Sequence, residues 1–169
     1  ILDGGRVLRG AGSAGQLGHL CVDPKGRQCV CGRIGCVETV SSGTAFATHL
    51  AEAGLPPDTR AEDLLARKDS AALAVIAAWA TPLRAAIDSL IATCNPDCLV
   101  IGGGAGAAAV AALARVPSRA SWFDAPVIGA ALGDDAGVIG AATAATRAAL
   151  PKHIVLVNGV PASGKSTVA

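Results

Sequence analysis

Five residues in one short stretch, His19, Cys21, Cys29, Cys31 and Cys36, have side chains that bind transition metals. Three thiolates and one imidazole make a tetrahedral zinc set with no open position, and such a set holds structure instead of doing chemistry. The stretch runs from Gly15-Gln16-Leu17-Gly18-His19 to Cys29-Val30-Cys31-Gly32-Arg33-Ile34-Gly35-Cys36-Val37-Glu38. Between its halves, Asp23-Pro24-Lys25-Gly26 has Asp, Pro and Gly where a type I turn wants them. If Gly26 is left-handed, the loop is three residues long and Asp23 pairs with Arg27, so His19 faces Cys31 and Cys21 faces Cys29. Gly32 and Gly35 let the chain turn sharply and return Cys36 to the same place. Cys21 and Cys36 therefore compete for the fourth position. Buried free thiols are the alternative, because Cys packs as a small hydrophobe. Convergence of four donors through one hairpin favours metal.

A second constellation, Gly159-Val160-Pro161-Ala162-Ser163-Gly164-Lys165-Ser166, fits the phosphate-binding Walker A pattern and is followed by Thr167. Its backbone N–H groups would cradle phosphates, Lys165 would reach the β and γ phosphates of ATP, and the Ser166 hydroxyl would ligate Mg. The apolar strand predicted from His153 to Asn158 precedes it, and a helix start follows, as the pattern requires. A third feature, Gly102-Gly103-Gly104 after the apolar run Cys98 to Ile101, is less specific. It suits close approach of a nucleotide to bare backbone, and equally a plain strand-to-helix turn. His49, Cys94, Cys98 and both tryptophans read as packing or surface residues.

The elements that must position these groups alternate between strand and helix. A hairpin around Asp3-Gly4-Gly5 and a short strand from Leu17 to Val22 open the chain. A helix begins at Glu38, directly after the cysteine loop, and runs through His49 and Leu50 to a stop at Gly54 and Pro56-Pro57. A second helix is expected from Ala61 to Arg67, and a long one from Ser70 to about Thr93, broken or kinked at Pro82 and stopped by Asn95-Pro96. The strand Cys98 to Ile101, an alanine-rich helix, the strand Val127 to Ala131 and a helix from Gly137 to Leu150 complete an α/β layered domain. Pro151 marks a boundary. Residues 1–150 form one domain, and residues 151–169 read as the truncated start of another.

At 169 residues, 51% hydrophobic and 16% charged, the chain can bury one core and is not of disordered composition. A net charge of +1 with scattered cations gives no reason to expect a nucleic-acid or membrane-surface partner. No run of about 18 purely apolar residues suggests a membrane span. The chain contains no methionine, so a natural start is expected upstream of Ile1, and Ala169 is expected to stop one turn into a helix that continues beyond it.

The cysteine segment resembles the signature of the ROK family (repressors, open reading frames, kinases), whose usual form has a glutamate where Gln16 stands. Leu99 to Gly104 and Leu132 to Ala142 are similar to that family's C-terminal segments, so the likeness covers roughly residues 1–150. The resemblance implies the C-terminal half of a two-lobed, actin-like (ribonuclease-H-like) ATPase fold and a structural zinc held by His19, Cys29, Cys31 and Cys36, which decides against Cys21. It implies that Gln16, His19 and Glu38 contact the hydroxyls of a hexose or N-acylhexosamine, and that Gly102, Gly103 and Gly104 lie against the adenosine of ATP. It also implies a cytoplasmic homodimer and a catalytic aspartate upstream of Ile1, so no residue here can be given that role. The Gly159 to Thr167 loop, with Gly159, Gly164, Lys165, Ser166 and Thr167 as nucleotide contacts, resembles that of small-molecule P-loop kinases such as the gluconate kinase-like group. Together these imply a sugar kinase fused to a P-loop kinase. A ROK transcriptional regulator and a catalytically silent sugar-binding module are the alternatives, the last because Gln16 loses a charge.

Overall fold

The computed structural model describes residues 1–118, 122 and 124–147. It divides into two units, Ile1–Ala130 and Ala131–Ala169.

In the first unit the organising element is the long helix α4, Ser70–Cys94; the shorter elements are labelled in chain order around it. Asp69 caps α4 by accepting the Ala72 N–H at 3.1 Å. Asn95 ends it in the left-handed conformation, φ 43, immediately before Pro96. Ala72, Val75, Ile76, Trp79 and Ala80 recur at the spacing of one helical face, and none is more than 2% exposed. That face packs against α2 (Gly43–Glu52), α3 (Ala61–Ala66) and α5 (Gly106–Leu113). Leu50, Leu64 and Ala112 fill the space between them. Each buried aliphatic side chain contributes on the order of 1.5–3 kcal/mol, so the stability of this unit is concentrated along α4.

The helix runs through Pro82 without the expected break. Pro82 has no N–H to give the Ala78 carbonyl, and the next carbonyl, that of Trp79, accepts the Ser41 hydroxyl at 2.7 Å. By length and composition alone α4 is able to cross a membrane, with a mean hydropathy of 1.5. It contains no purely apolar run of that length, because Thr81, Arg84, Asp88 and Ser89 interrupt it. Here its apolar stripe is taken up by packing, and it carries Arg84 and Asp88, paired at 3.8 Å. Arg84 also donates to the Val116 carbonyl at 2.9 Å, tying α4 to the chain after α5.

Strand β3 (Leu99–Ile101) pairs in parallel with β4 (Val127–Gly129), with α5 in the connection between them. The predicted strand to Ala131 stops at Gly129. Ile87, Ile91, Leu113 and Ala125 form a second cluster against this pair. Gly103 turns the chain out of β3 at φ 84. Gly106 starts α5 so close to β3 that a Cβ there would lie 3.0 Å from the Ile101 carbonyl oxygen. At the other end, β1 (Leu2–Asp3) and β2 (Arg6–Val7) form the expected hairpin over Gly4 and Gly5.

Two expected elements differ. The helix read from Glu38 through Leu50 is two helices, α1 (Glu38–Ser41) and α2, because Ser42 turns extended and its Oγ accepts the Ala45 N–H at 3.1 Å. Serine is a better cap than interior residue, and the cap wins here. The strand predicted from Leu17 to Val22 is instead a 3-10 turn, Leu17–His19, followed by a single bridge at Cys21.

The second unit contains the turn Gly133–Asp135 and helix α6, Ala136–Arg147. The predicted extension to Leu150, the boundary at Pro151, and the loop carrying Gly159, Gly164, Lys165, Ser166 and Thr167 lie outside the described residues.

Candidate metal centre

The turn at Asp23 forms as its residue types predict: the Gly26 N–H reaches the Asp23 carbonyl at 2.9 Å, and the Asp23 carboxylate accepts the Lys25 N–H at 3.0 Å. Gly26, however, does not adopt the left-handed conformation, and the pairing predicted around it is wrong. The bridges are Cys21 with Cys36 and Gln28 with Ile34, not Cys21 with Cys29 and His19 with Cys31. Gly35 is the cause. At φ 72 it presses against the Asp23 loop, accepting the Val22 N–H at 2.8 Å and the Asp23 N–H at 3.2 Å while donating to the Arg27 carbonyl at 2.8 Å. The returning strand therefore pairs with Cys21, while residues 29–33 form their own tight loop, closed by the Cys29 N–H on the Arg33 carbonyl at 2.7 Å.

This different path still gathers one donor atom each from His19, Cys29, Cys31 and Cys36 within 4.8 Å of one another. The Cys31 and Cys36 sulfurs are 3.6 Å apart, and Cys29 Sγ is 3.5 Å from His19 Nδ1. A tetrahedral zinc with ordinary bond lengths has edges of about 3.8 Å between sulfurs and about 3.6 Å between sulfur and nitrogen. These two separations match such edges and all four donors lie within 4.8 Å of one another, so the chemistry of the set fits a zinc ion. Cys21 is exposed and outside the cluster.

The thiols differ in how readily they ionise. Burial pushes Cys36 up to about 12, reinforced by the neighbouring Cys31 and Cys29 sulfurs. Cys31 is lowered, chiefly by the Arg33 backbone N–H directed at its sulfur.

Four ties fix this loop and the helix that follows it to the helical body, and none was visible in the sequence. Glu38, first residue of α1, places Oε2 3.7 Å from His19 Nδ1 and lies so near Gly18 that a Cβ there would be 3.1 Å from that same oxygen. Arg27 pairs with Glu52 of α2. His49, 9% exposed, reaches the Val40 carbonyl with Nε2 at 2.9 Å and Glu52 with Nδ1 at 3.6 Å. The ring read as packing thus clamps α1 to α2. Finally Ser41 donates to the Trp79 carbonyl at 2.7 Å while Trp79 Nε1 donates to the Ser42 carbonyl at 3.2 Å.

Of the residues singled out as sugar contacts, His19 and Glu38 are brought together. Gln16 heads the same turn, exposed, with its carbonyl accepting the His19 N–H at 3.1 Å. Two clefts flank the first turn of α2. One, of about 280 Å³, is lined by Glu38, Arg27, Cys29, Ser42 and Thr44. The other, of about 200 Å³, is lined by Gly43, Phe46, Arg60, Trp79 and Gly104. Gly104 thus borders a cleft, as a nucleotide loop would, while Gly102 approaches Ala130, whose side chain would be 3.3 Å from a Cβ there.

Known proteins share this architecture. The chain is 34% identical over 165 residues to a glucokinase of Halalkalibacterium halodurans, covering 83% of this chain and 50% of that protein. It is 34% identical over 152 residues to an N-acetylmannosamine kinase of Escherichia coli O1:K1 / APEC, covering 84% and 50%. The chain thus spans about half the length of these relatives. Among solved structures, a ROK family glucokinase from Streptomyces griseus in complex with glucose and AMPPNP superposes with a TM-score of 0.68 at 25% identity, over 87% of this chain and 56% of that one. A ROK family transcriptional regulator, a homolog of the E. coli MLC protein, superposes with a TM-score of 0.56 at 33% identity, over 74% and 37%. The profile of the ROK family itself matches residues 1–148, and to that family the chain belongs.

Proposed function

We propose that this chain is part of an ATP-dependent sugar kinase, with a hexose or N-acylhexosamine as phosphoryl acceptor. One observation carries the reading: the Glu38 carboxylate stands 3.7 Å from an imidazole whose Nδ1 is itself 3.5 Å from Cys29 Sγ. A carboxylate is the strongest acceptor for a sugar hydroxyl, and its value depends on being held still. Zinc at His19, Cys29, Cys31 and Cys36 would fix the loop that runs through Cys36 directly into α1, and so the backbone position of Glu38; when bound it supplies rigidity and no acid–base chemistry. His19, ligating through one ring nitrogen, leaves the other free for a hydroxyl. Gln16 adds a neutral acceptor from the same turn. The names of the relatives, a glucokinase and an N-acetylmannosamine kinase, support the choice of substrate class.

The nucleotide side of the reading places adenosine against Gly102, Gly103 and Gly104, with Mg bound to the phosphates, in an actin-like two-lobed enzyme whose general base lies outside this chain. The cleft beside Gly104 and the cleft beside Glu38 both border the first turn of α2, through Gly43 and Phe46 in one and Ser42, Thr44 and Ala45 in the other, which supports assigning one to each substrate. From residue 151 onward a P-loop domain follows, in which Gly159, Gly164, Lys165, Ser166 and Thr167 hold a second nucleotide. A cytoplasmic homodimer completes the proposal. The test is sugar-dependent ADP formation by the full-length protein with glucose and N-acetylmannosamine, which should be absent from residues 1–169 alone. A full-length protein that binds these sugars without turnover would sink the kinase reading. The likeness to a ROK regulator favours one second reading, a sugar-responsive repressor, and sugar-dependent DNA binding by the same protein would establish it.

A further inference from the structure

We propose that Cys21 and Cys36 form a reversible disulfide that removes Cys36 from the metal set, making the scaffold of the sugar site sensitive to oxidants. The inference rests on reading the four-donor cluster as a zinc centre. Cys21 pairs antiparallel with Cys36. The flanking hydrogen bonds run from the Val22 N–H to the Gly35 carbonyl and from the Val37 N–H to the Leu20 carbonyl, both 2.8 Å. They make Cys21 and Cys36 a non-hydrogen-bonded pair, the closer antiparallel arrangement, with Cα atoms about 4.5 Å apart. Disulfides span Cα separations of about 4.4–6.8 Å, so the bond needs side-chain rotation and no change of backbone.

Exposure sets the order of events. Cys21 and Cys31 are open to solvent, whereas Cys36 is 0% exposed, its sulfur turned towards Cys31. With zinc bound, Cys31 is a ligand and Cys21, outside the set, is the exposed thiol left for a small peroxide to meet. The Cys21 thiolate attacks one peroxide oxygen, the O–O bond breaks, and the departing hydroxide takes up a proton as water, leaving a sulfenic acid. The Cys36 thiolate then leaves the metal and attacks the Cys21 sulfur; the S–S bond forms, the S–O bond breaks, and the second hydroxide leaves and takes a proton from solvent to become water. Two thiols lose two electrons, and one peroxide is reduced to two waters. Cys36 can no longer act as a thiolate ligand, and the closed set is left with three donors. Glu38 follows Cys36 by two positions, so loosening this corner reaches the carboxylate directly. A thiol reductant reverses the bond by exchange.

The test treats the zinc-loaded chain with hydrogen peroxide, follows released metal with a chromogenic chelator, and maps the alkylated protein with trypsin. Cleavage after Lys25, Arg27 and Arg33 puts Cys21, the Cys29 and Cys31 pair, and Cys36 on separate peptides. Metal release should parallel the appearance of the Cys21 to Cys36 linked peptide, and reductant with added zinc should restore the starting state. Cys21→Ser, at an exposed position outside the cluster, should load zinc as the unaltered chain does and release it several-fold more slowly. Equal release from Cys21→Ser, with Cys36 linked to Cys29 or Cys31, overturns the proposal. A chain that purifies without zinc sinks the metal reading instead, and the linked peptide then decides the cross-link alone: its presence supports the pair and its absence overturns it.

Discussion

A side chain on Gly35 would put its Cβ 1.5 Å from the Asp23 carbonyl oxygen. That contact, more than any cysteine, sets the path of the metal loop. Gly35→Ala cannot be accommodated without moving the Asp23 turn. It should cost on the order of 4 kcal/mol or more, the range reserved for broken architecture, and abolish zinc binding. Gly32 is also left-handed, at φ 87, yet has nothing within 4 Å of its would-be Cβ. Gly32→Ala should cost only about 1–2 kcal/mol and keep its metal. Thermal melting and metal analysis of the two variants separate steric from conformational need.

Cys36→Ser should lower zinc affinity on the order of a hundredfold or more, while Cys21→Ser leaves it intact. The pH dependence has two opposed parts. In the metal-free chain, burial holds the Cys36 thiol at about 12 against an ordinary 9.0. The stability gained from keeping it neutral is complete below pH 9 and is lost as pH rises from 9 towards 12. Metal binding needs thiolates, so zinc affinity should instead climb as pH rises, with release of protons. Calorimetry in buffers of differing ionisation enthalpy counts those protons, and chelation should lower the melting temperature.

The Asp23 turn, the N-terminal hairpin, and the long helix with its stop at Asn95 were legible because each depends on residue types a few positions apart. The clustering of thiols with His19 was expected too, but spacing left Cys21 and Cys36 as rivals and only the family resemblance chose Cys36. The register of the metal loop was not legible. Predicting it required knowing that Gly35 would seat against the Asp23 carbonyl, a close approach that no spacing rule contains. Ser42 was read as helix interior because the apolar pattern continues past it, and the pattern does not weigh a hydroxyl's preference for capping. The clamps made by His49, Arg27 and Ser41 span 9, 25 and 38 positions. Contacts of that separation belong to tertiary structure, and a single sequence does not display them.

Asp69 caps α4 and accepts from Arg67 at 2.7 and 3.0 Å, and the guanidinium with the Ala72 N–H holds its carboxyl at about 2. Its folded value lies below the ordinary 3.8, so its contribution is present above pH 4 and fades as pH falls towards 2. Asp69→Ala should lower the melting temperature by about 5 °C at neutral pH. The difference from the unaltered chain should shrink on acidification. A difference that stays constant down to pH 2 would contradict this account.

Trp79→Phe keeps the edge-on packing against Phe46, now 5.2 Å between ring centres, but withdraws the donor that serves the Ser42 carbonyl. A loss of about 1–2 kcal/mol is expected. Ser41→Ala, removing the reciprocal bond, should cost about 1 kcal/mol. The two bonds join the same pair of segments, so the double variant should lose less than the sum. Chemical denaturation of the four proteins in the cycle measures the coupling.

In the full-length protein, Gln16→Glu should tighten hexose or N-acylhexosamine binding several-fold, the gain of a charged over a neutral acceptor being about 1 kcal/mol. Glu38→Ala should weaken it more. Calorimetry with glucose, N-acetylglucosamine, N-acetylmannosamine and fructose reads both. Indifference of every sugar to both substitutions would remove the sugar site from this turn.

All four donors fall between positions 19 and 36, whereas the bond that seats their loop on α4 joins Ser41 to Trp79. Closing a ten-residue loop takes about 10–100 ns, so these side chains meet long before a ribosome has delivered α4. The metal corner thus has its own clock. On the proposed zinc reading, its maturation is set by how soon a free ion arrives at the nascent chain, and a cell short of zinc would release this protein with its helices packed and this corner still without its metal.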